Sequence, residues 1–296
     1  MIRVALVVAL VACHGTDELE KKVTKLEEEI ATLRKERQFL EVKHVQLLKE
    51  VTELEQKVDE LTKKAAPPSF GARPSNRLQP KPDKTYSLAI DPMDSIEGSA
   101  DALVTIVEGY EYACPFCERA RATMDELEKR YGKDVRWVGK QLVVHPQIAT
   151  PAALAICAAN LQHKFAAMDH VLWEEGFKAR QFDNSGCEAD ADGCPKMVKF
   201  ARKLHLDVDR FRTDMKGSCT SWLSGNRRAF EHLGANATPT FFINGRFISG
   251  AQPADSFATL IDEELARAKS RVQSGTKPAE YYDKWVVDAG DKDLTP

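Results

Sequence analysis

Two cysteines with the spacing of a reversible disulfide stand near the middle of the chain. Cys114 and Cys117 flank Pro115 and Phe116, and they follow the apolar segment Ala102 to Val107, which is typical of a buried strand. A Cys-X-X-Cys pair where a strand passes into a helix can store two electrons as a disulfide and exchange them with other thiols. The spacing therefore predicts a redox centre at these two sulfurs.

The position of each cysteine on the helix predicts its role. Cys114 is expected to be exposed at the helix N-terminus, where backbone N–H groups and the helix dipole stabilise a thiolate. It would form the mixed disulfide with a substrate, and Cys117, one turn further in, would resolve it. Zinc binding is the alternative for such a pair, but it needs two further ligands, and the other close cysteines, Cys187 and Cys194, have six residues between them. We expect no metal and no dissociable cofactor, because the disulfide within the chain carries the electrons.

A second motif follows more than a hundred residues later. Thr238-Pro239 precedes the apolar run Phe241 to Ile243, and Asn244-Gly245 predicts a type I′ hairpin turn. With the Cys-X-X-Cys helix, this order resembles the DsbA-like family of thioredoxin folds over roughly residues 84–270. The resemblance implies an α/β thioredoxin-like fold with an inserted helical subdomain, and a protein thiol–disulfide oxidoreductase.

The resemblance also implies which residues meet the substrate. Thr238 and Pro239, with the proline cis, would present backbone groups to a substrate strand, and Pro115 and Phe116 would lie against the substrate beside the reactive sulfur. Phe116 replaces the histidine of strongly oxidising relatives and cannot donate a hydrogen bond to the thiolate. We therefore expect a milder oxidant than those relatives.

An acid six residues before the first cysteine completes the predicted centre. Glu108 stands where the family places a buried carboxyl, which could relay the proton of Cys117 during exchange. Lys140, at the end of the following strand, is a candidate partner for that carboxyl. The alternative is that both are solvated charges at the ends of strands.

The first thirteen residues have the features of an export signal. Arg3 precedes the apolar run Val4 to Ala12, which is far shorter than the ~20 residues that span a bilayer. Residues 10–13 resemble a lipobox, so Cys13 is expected to carry lipid, with an ordinary secretory signal as the alternative. Either version predicts the bacterial periplasm or cell envelope, an oxidising compartment.

Residues 14–64 carry a heptad repeat. β-Branched residues dominate the a positions, although Arg37 and His44 interrupt them, and leucine fills every d position: Leu19, Leu26, Leu33, Leu40, Leu47, Leu54 and Leu61. This pattern predicts a parallel homo-oligomeric coiled coil through residues 17–64, as a dimer or a trimer, whereas a lone surface helix would show a wider stripe. Three segments are expected after this helix: a proline-rich linker at 65–83, a catalytic domain at 84–271 with helices inserted at about 148–232, and a polar tail with a short helix at 272–296.

Four further cysteines lie in the predicted helical insertion. Cys157, in an alanine-rich segment, is expected to pack as a small apolar residue. A bridge between Cys187 and Cys194 fits the short loop between them, although Cys219 could pair with either. Four cysteines allow three full pairings, and the sequence does not choose among them.

These features predict the partners and the activity of the chain. The expected partners are cysteine-containing exported proteins, a membrane or periplasmic redox partner, further copies of the chain and a membrane reached through the lipid. The net charge of −3 suggests no nucleic-acid role. We rank an oligomeric disulfide isomerase or reductase above a DsbA-like dithiol oxidase on a membrane stalk. Active sites linked in one oligomer raise the effective concentration of one site near a protein held by another, which favours reshuffling of its disulfides. A non-catalytic envelope scaffold is the opposing class, but such a protein would need neither Cys114 nor Cys117.

Overall fold

The computed structural model describes residues 16–64, 79–180, 182 and 194–294. The chain divides into two units, one within residues 1–75 and one formed by residues 76–296. The predictions for the export signal, Cys13 and Cys187, and most of the predicted linker, lie outside the described residues.

The first unit contains one long helix, α1, which extends over Thr16–Lys64. Five apolar side chains that the heptad pattern assigns to a and d positions are 46–62% exposed in the single chain: Val23, Leu26, Ile30, Leu33 and Leu40. The predicted helix is confirmed. Its pairing into a coiled coil stays a prediction, for which this uncovered apolar stripe is the structural requirement.

The second unit is built on a mixed sheet. In the described part of the chain, five strands pair in the order β1-β3-β2-β4-β5, with β2 and β3 parallel and the other neighbours antiparallel. The strands are β1 (Ser95–Glu97), β2 (Val104–Tyr110), β3 (Val135–Gln141), β4 (Thr240–Ile243) and β5 (Arg246–Ser249). Every residue of β2 is buried, as expected for the apolar central strand of a sheet covered on both faces.

The β4–β5 hairpin has the predicted turn. Asn244 and Gly245 have φ angles of 44° and 83°, and positive φ at both central residues is the requirement of a type I′ turn. A Cβ at position 245 would lie 2.5 Å from the carbonyl oxygen of Tyr86, so glycine is also required by the close approach of that segment.

Five described helices lie between β3 and β4, and two others flank the sheet. The helices are α2 (Pro115–Tyr131), α3 (Pro146–Asn160), α4 (Phe165–Val171, continued by the π-helical segment Leu172–Lys178), α5 (Pro195–Lys203), α6 (Val208–Lys216), α7 (Ser218–His232) and α8 (Ala254–Gln273). This arrangement confirms the predicted thioredoxin-like fold with a helical insertion. Among the described helices, none is both long enough and apolar enough to cross a membrane.

The two faces of the sheet pack against different elements. One face packs on α2 and α8 through Val104, Ile106, Ala120, Leu127, Phe241, Ile243, Phe257 and Ile261. The other packs on α7 and on both ends of the domain through Val107, Val138, Phe230, Leu233, Phe242, Tyr86, Leu88, Tyr282 and Val286. Burying a large apolar side chain of this kind contributes about 1.5–3 kcal/mol relative to leaving it exposed.

The C-terminal tail is part of the domain. Ser87 donates its backbone N–H to the carbonyl of Asp291 at 2.8 Å, and Asp291 donates to the carbonyl of Thr85 at 2.9 Å. The Tyr282 hydroxyl donates to the carbonyl of Leu88 at 2.8 Å. The tail therefore packs against residues 85–88, near the start of the domain.

A disulfide fastens the helical insertion. Cys157 of α3 and Cys219 of α7 are bonded, and both are fully buried. The prediction that Cys157 packs as an unpaired apolar residue is wrong, because α3 and α7 pack together and bring cysteines 62 residues apart into contact. Cys194 is also disulfide-bonded, and the predicted bridge to Cys187 involves a residue outside the described part of the chain.

Candidate active site

The reactive pair lies where β2 passes into α2. Cys114 has extended backbone angles (φ −94°, ψ 117°) at the N-cap of α2, and Pro115 occupies the first helical turn, where its missing N–H costs nothing. The backbone N–H of Cys117 donates to the carbonyl of Cys114 at 3.1 Å, and that of Glu118 donates to the same oxygen at 3.2 Å. The first turn thus holds both cysteines on one side of the helix end, with both thiols free.

The second motif faces the first cysteine. The Thr238–Pro239 peptide bond is cis, and the Cys114 thiol donates to the carbonyl oxygen of Thr238 at 3.3 Å. Cys114 is only 4% exposed, so the prediction of an exposed nucleophile is wrong. The reason is that the Thr238 backbone stands directly against the sulfur.

The surroundings of the two sulfurs shift their pKa values in opposite directions. The pKa of Cys114 is lowered to about 5, mainly by a hydrogen bond from the Cys117 thiol. Burial opposes this shift, while the Thr238 side chain and the backbone N–H groups of Cys117 and Phe116 add to it. The pKa of Cys117 is raised, first by burial and then by Cys114 and the carboxyl of Glu108. At neutral pH, Cys114 is therefore the thiolate and Cys117 the thiol.

Glu108 lies beneath the pair on β2. Its side chain accepts a hydrogen bond from the indole Nε1 of Trp137 at 2.8 Å, and the residue is 6% exposed. Burial raises the pKa of Glu108 to about 8, while the Trp137 hydrogen bond opposes that rise. A carboxyl with this pKa can both accept and release a proton near neutral pH.

Lys140 is not the partner of Glu108. In the parallel register Glu108 is opposite Gly139, and Lys140 is opposite Gly109. Side chains alternate between faces along a strand, so Lys140 lies on the other face of the sheet. There it is buried in an ion pair with Asp94, which excludes the alternative of a solvated strand-end charge as well.

A cavity of about 860 Å³ reaches the buried side of the centre. Cys117, Glu108 and Trp137 all contribute to its lining. Asp169 of α4 also lines it, accepting a hydrogen bond from the Tyr112 hydroxyl at 2.8 Å and facing Arg121 at 3.6 Å. The resolving thiol and the carboxyl therefore line one cavity together with the charged side chains of Asp169 and Arg121.

Phe116 lies on the outer surface of the helix end. Its ring is 51% exposed, and the guanidinium of Arg119 stands 4.5 Å from the ring centroid. Pro115 is exposed beside it. These side chains therefore form the surface next to the reactive sulfur, where the sequence predicts contact with the substrate.

Sequence reasoning missed Trp137 and Gly139 as members of the site. Their roles depend on the pairing register of β2 and β3, which places them on the Glu108 face. The signal available in the sequence was the aromatic–glycine alternation on the strand after the Cys-X-X-Cys helix, and alone it names no partner.

The Cys-X-X-Cys pair at the start of a helix faces a cis-proline loop, and helices are inserted between the third and fourth strands of the sheet. This combination defines the DsbA-like class of thioredoxin folds. A family model described as Thioredoxin matches residues 91–263. The chain belongs to this thioredoxin family.

Solved structures share this fold at low sequence identity. The catalytic domain of ScsC from Proteus mirabilis is 20% identical, with a TM-score of 0.50 over 60% of this chain and 93% of that chain. A variant of alpha-DsbA1 from Wolbachia pipientis is 17% identical, with a TM-score of 0.50 over 62% of this chain and 96% of that chain.

Curated relatives match only in part. A Na(+)/H(+) antiporter NhaA from Herminiimonas arsenicoxydans is 28% identical over 186 residues, which are 62% of this chain and 27% of that protein. The chain thus spans about a quarter of the length of the curated relatives it matches.

Proposed function

We propose that the protein is an exported thiol–disulfide oxidoreductase that exchanges disulfides with cysteine-containing proteins. The observation that carries this proposal is the Cys114 sulfur at the N-terminus of α2, with a pKa lowered to about 5, against the Thr238 carbonyl. A thiolate is the nucleophile in disulfide exchange, and this one is present at neutral pH.

The exchange proceeds in two steps that conserve electrons. The Cys114 thiolate attacks a substrate disulfide, forming a mixed disulfide while the other substrate sulfur leaves as a thiolate. Cys117 then gives its proton to the Glu108 carboxylate and attacks the Cys114 sulfur, which closes the internal disulfide and releases the second substrate sulfur. Two electrons pass from the enzyme to the substrate, and the reverse sequence oxidises a dithiol.

We rank isomerase or reductase above oxidase. An isomerase must attack disulfides that already exist, and a Cys114 thiolate that persists at neutral pH supports this. The oxidase alternative also has support, since stabilising the thiolate stabilises the reduced enzyme. The Cys114 pKa of about 5 lies between those of thioredoxin (about 7) and DsbA (about 3.5), in accord with the predicted milder oxidant.

Oligomerisation through α1 is part of the proposal. The stripe formed by Val23, Leu26, Ile30, Leu33 and Leu40 is uncovered in the single chain, and burial against a second or third copy would remove it from water. A parallel bundle would hold several Cys114 centres near one substrate. Such proximity favours reshuffling of a protein already bound at one site.

Export is supported by two features of the chain. Residues 1–13 have the pattern of a lipoprotein signal ending at Cys13. The Cys157–Cys219 disulfide is stable in an oxidising compartment. We therefore place the protein in the bacterial cell envelope, attached through lipid on Cys13 and served by a periplasmic or membrane redox partner.

The role of α1 can be tested in the full chain. The heptad variant Leu26→Ser/Leu33→Ser/Leu40→Ser removes apolar d positions, whereas the control variant Glu28→Ser/Lys35→Ser/Gln38→Ser changes the outer face of the same helix. We expect monomers and loss of refolding of a scrambled multi-disulfide protein for the first variant only, with reduction of a small disulfide unchanged per active site. Equal refolding by both variants would contradict an oligomeric isomerase.

The scaffold alternative has its own test. If the protein acted only as a spacer or a binding module, Cys114→Ser would leave every cellular effect intact. We expect instead that a strain carrying Cys114→Ser would accumulate misoxidised envelope proteins, as would a strain lacking the protein.

A further inference from the structure

We propose that Trp137, folded across Gly139, is a positioning residue that fixes one oxygen of the Glu108 carboxyl and leaves the other to exchange the proton of Cys117. This inference rests on the proposed function and deepens it. It concerns how the resolving step is controlled, rather than which step occurs.

The contact is directional. The indole Nε1 donates to Oε2 of Glu108 at 2.8 Å, and among the described residues no other side chain donates a hydrogen bond to this carboxyl. The indole ring is itself fixed between aromatic neighbours, with centroids 5.8 Å from Tyr110 and 5.9 Å from Phe165. Oε2 is thus held by a fixed donor, Oε1 accepts from no described side chain, and Glu108 and Cys117 line the same cavity.

Gly139 makes this contact sterically feasible. Trp137, Gly139 and Glu108 share one face of the sheet, and Gly139 is directly opposite Glu108 in the parallel register. A Cβ at position 139 would lie 2.1 Å from Cη2 and 2.7 Å from Cζ2 of Trp137. Any side chain at this position would therefore displace the indole from the Glu108 carboxyl to which it donates.

The charged and titratable groups around Glu108 come from several elements. Cys114 is the N-cap of α2, Cys117 and Arg121 belong to α2, Asp169 to α4, and Tyr110 to the same strand as Glu108. Asp169 and the Cys114 thiolate disfavour an ionised Glu108, whereas Arg121 and Trp137 favour it, Trp137 more strongly. Trp137 is thus the main described group that keeps the carboxyl able to accept a proton.

The step is balanced without any further reactant. The Cys117 S–H bond breaks, its proton joins the Glu108 carboxylate, and the sulfur uses the freed electron pair to attack the Cys114 sulfur of the mixed disulfide. The proton then leaves Glu108 toward the cavity of about 860 Å³. The reverse transfer occurs when the internal disulfide is reduced.

The test is Trp137→Phe in the full chain, with Trp285→Phe as the matched control, because Trp285 lies in the tail and hydrogen-bonds Thr276. The first readout is the titration of the Glu108 carboxyl carbon by NMR, which needs no activity. We expect its midpoint to rise by about one pH unit in Trp137→Phe and to stay unchanged in the control.

The second readout is the rate at which Cys117 resolves a preformed mixed disulfide between pH 5 and 10. We expect Trp137→Phe to be up to about tenfold slower near pH 7 and to recover at high pH, whereas a purely structural defect would slow every pH equally. In an E108Q background, Trp137→Phe should cause no further pH shift. Replacing Trp137 by benzothienylalanine keeps the bicyclic shape without the N–H and should act like phenylalanine.

Unchanged titration midpoints in Trp137→Phe and in the benzothienylalanine protein would overturn the inference. G139A provides an independent check, because it should shift the midpoint in the same direction by displacing the indole. The proposed function fails separately, if the Cys114→Ser protein exchanges disulfides as fast as the unaltered chain. A shifted Glu108 titration in that case would still show that Trp137 positions the carboxyl, whereas its role in the resolving step would fail with the proposed function.

Discussion

The sulfur of Cys114 lies 3.3 Å from the carbonyl oxygen of Thr238, a residue 124 positions later in the chain. This contact joins the helix that carries the nucleophile to the loop that carries the cis-proline. Because the Thr238 backbone lies directly against the sulfur, Cys114 is only 4% exposed. The residue proposed to bind a substrate strand thus also contacts the reactive sulfur.

The Thr238 side chain is expected to tune the thiolate. Its hydroxyl is buried, has no hydrogen-bond partner among the described groups and lowers the pKa of Cys114. Thr238→Val should raise the midpoint of Cys114 alkylation from about 5 by roughly one pH unit, because it removes the hydroxyl that favours the thiolate over the thiol. The rate of iodoacetamide alkylation against pH measures this.

Thr240→Val is the matched control for that experiment. Thr240 also buries a hydroxyl without a described partner, but it is opposite Gly109 on the face of the sheet away from Glu108. Its replacement should leave the alkylation midpoint unchanged. Equal shifts in both variants would mean that the hydroxyl of Thr238 has no specific effect on Cys114.

Glu108 is expected to destabilise the fold at neutral pH. Its pKa is raised from 4.5 to about 8 by burial, so the native state holds a proton that the unfolded state loses. Stability from this group is therefore complete below pH 4.5 and is lost as the pH rises toward 8. Glu108→Gln should match the unaltered chain near pH 4 and be more stable by about 2–3 kcal/mol at pH 7.

Urea unfolding of the two proteins at both pH values checks this sign. A matched control is Glu118→Gln, which removes a half-buried acid from α2, the helix that follows β2. If Glu108→Gln were less stable at pH 7, the carboxyl would be ionised and stabilised by its surroundings, and the raised pKa of Glu108 would be contradicted.

The second disulfide is expected to act on stability rather than on exchange. Replacing both Cys157 and Cys219 by alanine removes a link between α3 and α7 that closes a loop of 62 residues. The free energy of unfolding should fall by about 2–4 kcal/mol, while mixed-disulfide formation by Cys114 is retained. Loss of exchange in a variant that is still folded would show that this disulfide also shapes the active centre.

Local signals in the sequence predicted most of the fold. The Cys-X-X-Cys helix, the Asn244-Gly245 turn and the heptad helix each depend on residues close in the chain, where backbone preference and periodicity decide the structure. β1 was missed, because Ser95–Glu97 is three residues long and carries no alternation that could distinguish it from a loop.

The errors arose where distant elements meet. The sequence predicts apolar packing for Cys157, because nothing near it in the chain indicates its partner Cys219. Lys140 is a candidate partner of Glu108 in the sequence, because both are charged residues on neighbouring strands, but the register places them on opposite faces. Trp137 was missed for the same reason, since only the register shows that it reaches Glu108.

The most direct test of disulfide exchange through Cys114 is to trap the mixed disulfide. Cys117→Ser leaves the Cys114 thiolate able to attack a protein disulfide but removes the sulfur that would resolve the product. Mixed with a scrambled disulfide protein, this variant should form one reductant-sensitive covalent adduct per active site, seen by non-reducing electrophoresis and mass spectrometry. No adduct from folded Cys117→Ser protein, or equal adduct from the Cys114→Ser/Cys117→Ser protein, would contradict a nucleophilic role for Cys114.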